Sequence, residues 1–481
     1  MHIVDVVYYW ARSAPLRPAF IETSGVVTYA TLANGIELAA EHFAARIEDR
    51  SQPVALCIAS GSKMLTALLG LLRAGFDVVL SGTNVFNELK PLGTTTLVYE
   101  RDRPTLDGGQ NIMFDDNWLH FGFAVKERKP LRSGSAQGRN ILCFTSGTTG
   151  RPKLVICPQK SWQERVLFPV NSAFFSYERI LIVPSLLTSW GLSRAYEALH
   201  SGRTVCAGPP LVATLWLVNT YDVDTILASP QQAIELAAHQ EKDKRFPLKS
   251  LKALHIGAAS ISRDAAHRIQ QNLCRNIVMI YGSTEAGVAA VAPYDMIADI
   301  PGAVGFIVPG AHVEIVDGAG SPLPAGREGF VRVRSAVLAE NTVASGSKDE
   351  WFYTSDFGWI TEDRLLCIAG RTGDVVNRGG EKLLIPDIEN WLRTCAGVQD
   401  AGVCTVPGPS GFSEIWVGLV LSPTADFAAT RFTIEANAFY KSNIDKVFLV
   451  ESIPRGTLGK IQRDELKKML QEIGADQAKS S

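Results

Sequence analysis

Val54-Ala-Leu-Cys-Ile-Ala-Ser-Gly-Ser-Lys-Met-Leu-Thr-Ala-Leu-Leu-Gly-Leu-Leu-Arg-Ala-Gly-Phe-Asp-Val-Val-Leu80 reads as a strand, a helix and a second strand. Val54–Ile58 is a short apolar run, the signature of a strand buried on both faces. Between Ser62 and Ala74, apolar residues at Met64, Leu65, Ala67, Leu68, Leu71 and Leu72 recur at helical spacing. Phe76–Leu80 is apolar and strand-like again. A strand–helix–strand passage of this length argues for two parallel strands in one sheet. Working outward, the rhythm returns at Val205–Ala207, Thr225–Ala228, a helix over Gln231–Gln240, Ala253–Ile256, a helix over Arg263–Leu273, and Ile277–Ile280. The expected fold class is α/β.

The texture changes after about residue 300, where Val313–Val316, Gly329–Val333 and Leu365–Ile368 are short strands parted by Gly/Pro turns. A small β-barrel or meander is expected there. Gly370–Gly380 holds four glycines among many charges and marks a boundary. Beyond it, a helix near Pro386–Thr394, strands near Ala401–Val406 and Trp416–Leu421, and a tail helix over Arg463–Ile473 suggest a small α/β domain. Ala475–Ser481 is expected to fray.

Bulk charge narrows the function classes. Forty-seven Lys+Arg against 49 Asp+Glu give a net charge of −2, which offers no general electrostatic drive toward nucleic acid. The eight cysteines form no C-x-x-C pair and sit mostly among apolar residues, so they read as core thiols of a reducing compartment, not a disulfide frame or zinc site. No apolar run approaches the ~18 residues of a membrane span, and Met1–Asp5 does not open a secretory leader. A cytoplasmic enzyme with no nucleic-acid or membrane partner is expected. No G-x-G-x-x-G follows a strand, so a flavin or dinucleotide is not expected.

The chemistry concentrates in Ile141-Leu-Cys-Phe-Thr145-Ser-Gly-Thr-Thr-Gly150-Arg-Pro-Lys153. An apolar strand runs into small hydroxyl and glycine residues whose backbone N–H groups can cradle an anion, and Lys153 adds a mobile positive charge. The pattern is not G-x-x-x-x-G-K-[ST]. It resembles the phosphate loop of the AMP-forming adenylate ligase superfamily, which includes acyl- and aryl-CoA synthetases, nonribosomal peptide synthetase adenylation domains and luciferases. Further segments resemble that family in the same order: Tyr281-Gly-Ser-Thr-Glu285, Gly302–Gly305 with Pro309-Gly310, Trp351–Asp356, Gly370-Arg371, Asn377–Lys382 and Pro454–Lys460. The segment around Arg378–Glu381 is most similar to aryl-acid-activating members.

The resemblance implies ATP-dependent attack of a carboxylate on the α-phosphorus, with pyrophosphate released. Two anions must meet, so positive charge and Mg²⁺ are the main requirement. By resemblance, Thr145, Ser146, Gly147, Thr148, Thr149, Gly150 and Lys153 hold phosphate, Glu285 holds the metal, and Thr284 bonds phosphate. Tyr281, Gly282 and Ser283 on one side and Gly257, Ala258 and Ala259 on the other flank the purine. Asp356 and Arg371 hold the ribose, and Lys460 bridges carboxylate and phosphate in the transition state. The implied organisation is a large domain over 1–370, a hinge over 371–375 and a lid over 376–481. The hinge position, commonly Asp or Lys in the family, is Gly373, and Gly379 and Gly380 border the thiol tunnel.

The acyl pocket is implied to include Thr188, Ser189, Trp190, Ser193, Gly287 and Val288. Amino-acid activators place aspartate where Ser189 stands, many acyl-CoA synthetases histidine where Thr188 stands, and dihydroxybenzoate activators asparagine where Ser189 stands. Serine cannot pair with an ammonium, so a free α-amino acid is disfavoured and a small aryl or short-chain acid is expected. A carboxylate introduced at position 189 is expected to be buried without a partner. The acceptor is expected to be a thiol, CoA first. A carrier-protein phosphopantetheine or an amine is the alternative, and a non-catalytic nucleotide-binding relic the remote one.

Overall fold

Val54–Cys57 pairs in parallel with Val78–Leu80 on one side and Thr96–Tyr99 on the other, as the opening stretch predicts. The intervening helix, Gly61–Ala74, buries Met64, Leu65, Ala67, Leu68, Leu71 and Leu72. It stops at Gly75, whose φ of 92° is readily reached by glycine and whose N–H caps the last turn. This computed structural model describes residues 2–82, 89, 92–101, 105–119, 139–145, 153–170, 176–208, 212–339, 351–371, 375–378, 381–407, 413–437, 444–456 and 461–480. The first sheet runs Gln110–Met113, Thr96–Tyr99, Val54–Cys57, Val78–Leu80, Asn140–Thr145, Lys153–Pro158. Its ladders are parallel until the last, where Thr145 faces Lys153 across an antiparallel pair.

A second sheet has thirteen strands. Ile277–Ser283, Ala253–Gly257, Thr225–Ala228, Arg179–Ile182, Thr204–Cys206 and Pro18–Glu22 form its parallel run. Ile277–Ser283 then folds back on Gly287–Pro293, and the rest of the sheet is antiparallel. Of the two forms expected after residue 300, the ladders build the meander. It continues the large sheet, because Ala303–Ile307 pairs with Gly287–Pro293 on one side and Leu365–Arg371 on the other. Among the described residues no ladder closes it, although Ala289, Ile315, Val331 and Leu366 share one core beneath it.

The C-terminal residues build Val398–Pro407, Ser413–Leu421 and Lys446–Leu449 into a three-stranded sheet with helices Ile385–Thr394, Phe427–Ala436 and Arg463–Ser480. Two hydrophobic clusters there draw only on residues from Val376 onward. The tail departs from expectation. The last helix runs to Ser480 instead of fraying from Ala475, anchored by Leu466 and Leu470 in its first two turns.

Candidate functional site

The loop expected to hold phosphate hangs from the Asn140–Thr145 and Lys153–Pro158 hairpin, whose Thr145–Lys153 pair draws its two ends together. Ser146, Gly147, Thr148, Thr149 and Gly150 lie outside the described residues, as do Gly373, Gly379, Gly380 and Lys460. Of Thr145 and Lys153 the backbone alone is described.

Tyr281, Asp356 and Arg371 do come together. Asp356 and Arg371 face each other across adjacent strands, and Arg371 Nε donates to Asp356 Oδ1 at 3.1 Å. Tyr281 Oη donates to Asp356 Oδ2. Burial first, then the Asp356 charge and this hydrogen bond, push the Tyr281 phenol well above its usual range, so it stays a donor. Asp356 is only 7% exposed. The residue before it, Ser355, is held at φ 65°, an uncommon backbone for a side-chain-bearing residue and one that clusters at functional sites. A carboxylate has about four acceptor positions, so two donors leave room for the hydroxyls of a sugar.

Gly257, Ala258 and Ala259 follow the strand beside Ile277–Ser283, with Gly257 opposite Ile280. A Cβ on Gly257 would come within 2.9 Å of the Ile280 carbonyl and 3.0 Å of Trp190 Cζ2. Ala258 turns away at φ 74°. Trp190 therefore packs on the floor of the expected purine side.

The turn between Ile277–Ser283 and Gly287–Pro293 carries Thr284 and Glu285. Gly282 sits so close to the returning strand that a Cβ would lie 2.3 Å from the Gly287 carbonyl. Three successive carbonyls of the turn are tied down from outside it. Arg165 Nη2 donates to the Thr284 carbonyl, the Ala339 N–H to that of Glu285 at 2.9 Å, and Ser335 Oγ to that of Ala286 at 2.9 Å. Ser283 Oγ accepts from the Ala286 N–H at 3.0 Å. The Thr284 and Glu285 side chains remain half-buried and bond no other described residue. One carboxylate with no partner among the described residues suits Mg²⁺, which is typically held by one or two carboxylates plus nucleotide phosphates. Among the described residues no cluster of three or more His, Cys, Asp or Glu forms an all-protein metal cage.

The expected acyl-pocket residues divide by role. Thr188 is the N-cap of helix Ser189–His200: its Oγ1 accepts from the Gly191 N–H at 3.2 Å and donates to the Ser185 carbonyl at 2.7 Å. Ser193 donates back to the Ser189 carbonyl within the helix. Ser189, 5% exposed, accepts from Arg165 Nη1 at 3.2 Å. Val288 and Trp190 pack against the main core.

Arg165, absent from the sequence-based site, joins these parts. It lies in helix Gln159–Val170 on the buried face shared with Trp162 and Val166, 6% exposed. Its donors reach Ser189, Thr284 and, at 3.2 Å, the Val337 carbonyl. A charged residue on an otherwise apolar helical stripe was the available signal. The expectation of an unpartnered carboxylate at position 189 is also corrected, because a carboxylate there would meet Arg165.

A family model described as AMP-binding enzyme matches residues 78–341, more than half of the chain. The chain is 26% identical over 510 aligned positions to a 4-chlorobenzoate–CoA ligase of Arthrobacter sp, covering 98% of this chain and 96% of that one. It superposes with a TM-score of 0.81 on O-succinylbenzoate coenzyme A synthetase (MenE) from Bacillus subtilis in complex with ATP and magnesium ion, at 21% identity, covering 96% of this chain and 99% of that one. For the amide bond synthetase McbA from Marinactinospora thermotolerans the TM-score is 0.80 at 21% identity, with 97% and 99% covered. Among the described residues no helix is long and apolar enough to cross a membrane.

Proposed function

The chain belongs to the AMP-binding enzyme family, and from that premise we propose that it activates a carboxylic acid with ATP as an acyl-adenylate and passes the acyl group to CoA. A carboxylate oxygen attacks the α-phosphorus, the bond to the bridging oxygen breaks, and pyrophosphate leaves. The acceptor thiol, losing its proton, then attacks the acyl carbon and AMP departs. The observation that carries this reading is the Tyr281–Asp356–Arg371 cluster standing at the base of the Thr284–Glu285 turn.

In this reading Asp356 accepts the ribose hydroxyls, with Tyr281 and Arg371 holding its carboxylate in place. The Tyr281 ring and the close-packed Gly257–Ala259 segment flank the purine. Thr284 bonds phosphate and Glu285 ligates Mg²⁺, which when bound supplies charge screening between acid and nucleotide. Thr145–Gly150 and Lys153 wrap the phosphates, Lys460 serves the first half-reaction from the C-terminal lid over 376–481, and Gly373 is its hinge. Gly379 and Gly380 border the thiol route. Ser189, Trp190, Gly287 and Val288 shape the acyl pocket, with Thr188 and Ser193 supporting its helix. The relative named as a 4-chlorobenzoate–CoA ligase supports a small aryl acid and CoA. The amide bond synthetase neighbour keeps an amine as the second reading of the acceptor, and a carrier-protein thiol uses the same chemistry. Eight free cysteines, all buried but Cys395, suit a cytoplasmic setting.

The test is acid-dependent ATP–pyrophosphate exchange with Mg²⁺, run across aryl, short-chain and long-chain acids and repeated with CoA. Exchange followed by thioester is the expected result. Exchange without thioester moves the acceptor to a carrier protein or an amine. ATP binding without exchange for any acid argues for the relic reading.

A further inference from the structure

We propose that Arg165 and Ser189 form a specificity-determining pair in the acyl site, and that the acid carries a hydrogen-bond acceptor remote from the carboxylate that is activated. The inference rests on the adenylation reading for its substrate and on the Arg165 environment for its chemistry.

Among the described residues, Arg165 differs from the other deeply buried arginine. Arg194, 2% exposed, has Glu197 at 3.3 Å, a carboxylate that also takes the half-buried Arg203 at 3.2 Å. Arg165 is nearly as buried, yet among the described residues its hydrogen-bond partners are all neutral: Ser189 Oγ, the Thr284 and Val337 carbonyls, and Cys157 Sγ at 3.9 Å. Buried arginine is rarely left without a compensating negative charge. Its Nε–H is buried with no hydrogen-bond partner among the described residues.

The unfilled groups beside it are of the same kind. Ser189 Oγ already accepts from Arg165, and no described residue takes its proton. Trp162 Nε1, in the ring that lies 5.3 Å beneath the guanidinium, is a second buried donor with no acceptor among the described residues. Three donors at one buried cation, each with no acceptor among the described residues, fit an oxygen-bearing tail and repel an ammonium. The position suits the end of an acyl pocket. Arg165 Cγ would lie 4.0 Å from a Cβ on Gly287, and its Nη2 bond places the guanidinium one residue from Glu285.

The test uses the full chain and acids matched in skeleton: benzoate against 4-hydroxybenzoate and terephthalate, and hexanoate against adipate. We expect kcat/KM in ATP–pyrophosphate exchange to favour the acceptor-bearing member by about tenfold or more, the scale of one hydrogen bond to a charged group. The phenol and carboxylate arms distinguish a neutral from an anionic tail. Ser189→Ala should shrink that preference while leaving KM for ATP unchanged, and Arg165→Met should abolish it. Ser189→Ala keeps the Arg165 bonds to Thr284 and Val337, so it remains informative if Arg165→Met folds poorly. A wild-type preference for the unsubstituted acids, or variants that lose activity equally toward both members of a pair, would leave Arg165 a structural brace and overturn the proposal. Calorimetric titration of the same acids separates the two readings. Selective binding without exchange would remove the adenylation chemistry and keep this inference, whereas equal binding would remove the inference.

Discussion

Replacing Tyr281 by phenylalanine deletes one oxygen from the Asp356 cluster and keeps the ring. In the wild type, Asp356 accepts from Tyr281 Oη and from Arg371 Nε, and the carboxylate is almost wholly buried. A hydrogen bond to a charged group contributes about 1.5–3 kcal/mol. Some of that returns as Arg371, itself partly exposed, shifts toward the vacated oxygen. A residual loss of about 1–2 kcal/mol in nucleotide binding is left, a factor of roughly 5–30. Equilibrium titration with ATP should show that weakening, and KM for the acid should stay within about twofold, since an acid pocket built elsewhere loses no contact. Tyr281→Ala should weaken ATP further by removing the ring. The reasoning fails if Tyr281→Phe binds ATP like the wild type, because the hydroxyl would then be idle. It fails equally if acid and ATP are weakened together, because the cluster would then serve general packing.

Glu285→Gln removes the charge but not the shape of the one carboxylate on the turn, so half-maximal activity should require several-fold more Mg²⁺; an unchanged Mg²⁺ titration would assign the metal elsewhere. Lys460→Ala should lower adenylate formation by about 10²–10³ while ATP binding persists, and full retention of pyrophosphate release would sink the role given to it. His2 offers a pH test. Burial above all, with the N-terminal amine and Arg73, lowers its imidazole from 6.5 to about 4. The unfolded chain therefore takes up the proton first, and the stability owed to neutral His2 is present above pH 6.5 and lost as pH falls toward 4, on the order of 3 kcal/mol in full. His2→Asn keeps an acceptor for the Val4 N–H that His2 Nδ1 now caps. It should flatten the fall in urea midpoint between pH 6.5 and 4, and an unaltered slope would place the titration in another group.

Periodicity made the strands and helices of the parallel layers legible, because each has only one way to bury its apolar residues. Val54–Cys57 and helix Gly61–Ala74 lie within a residue of their expected bounds. Tyr281, Asp356 and Arg371 were legible as a set only through motif order, since they meet across strands 75 and 15 residues apart. What escaped was side-chain direction. The Thr188 hydroxyl, expected at the pocket, also caps its helix, a bond that residue spacing alone does not reveal. Arg165 shows in the sequence only as a charge on an apolar stripe, because its partners at Thr284 and Val337 are 119 and 172 residues away. The meander was legible as strands but not as a continuation of the large sheet, which depends on Ala303–Ile307 having a neighbour on both edges. The tail helix outran its apolar pattern because a helix once anchored can propagate through polar residues.

The Thr284–Ala286 turn is tethered by Arg165, Ala339 and Ser335, which come from two separate stretches of chain. Transplants between homologues are constrained by that arrangement. A donor Ser189–His200 helix brought in alone would face a resident Arg165 selected for a different neighbour. A donor turn would arrive without the side chains that hold its carbonyls. Crossover points placed so that the Gln159–Val170 helix, the Ser189–His200 helix, the turn and residues 335–339 travel together should yield active hybrids more often than cuts between them.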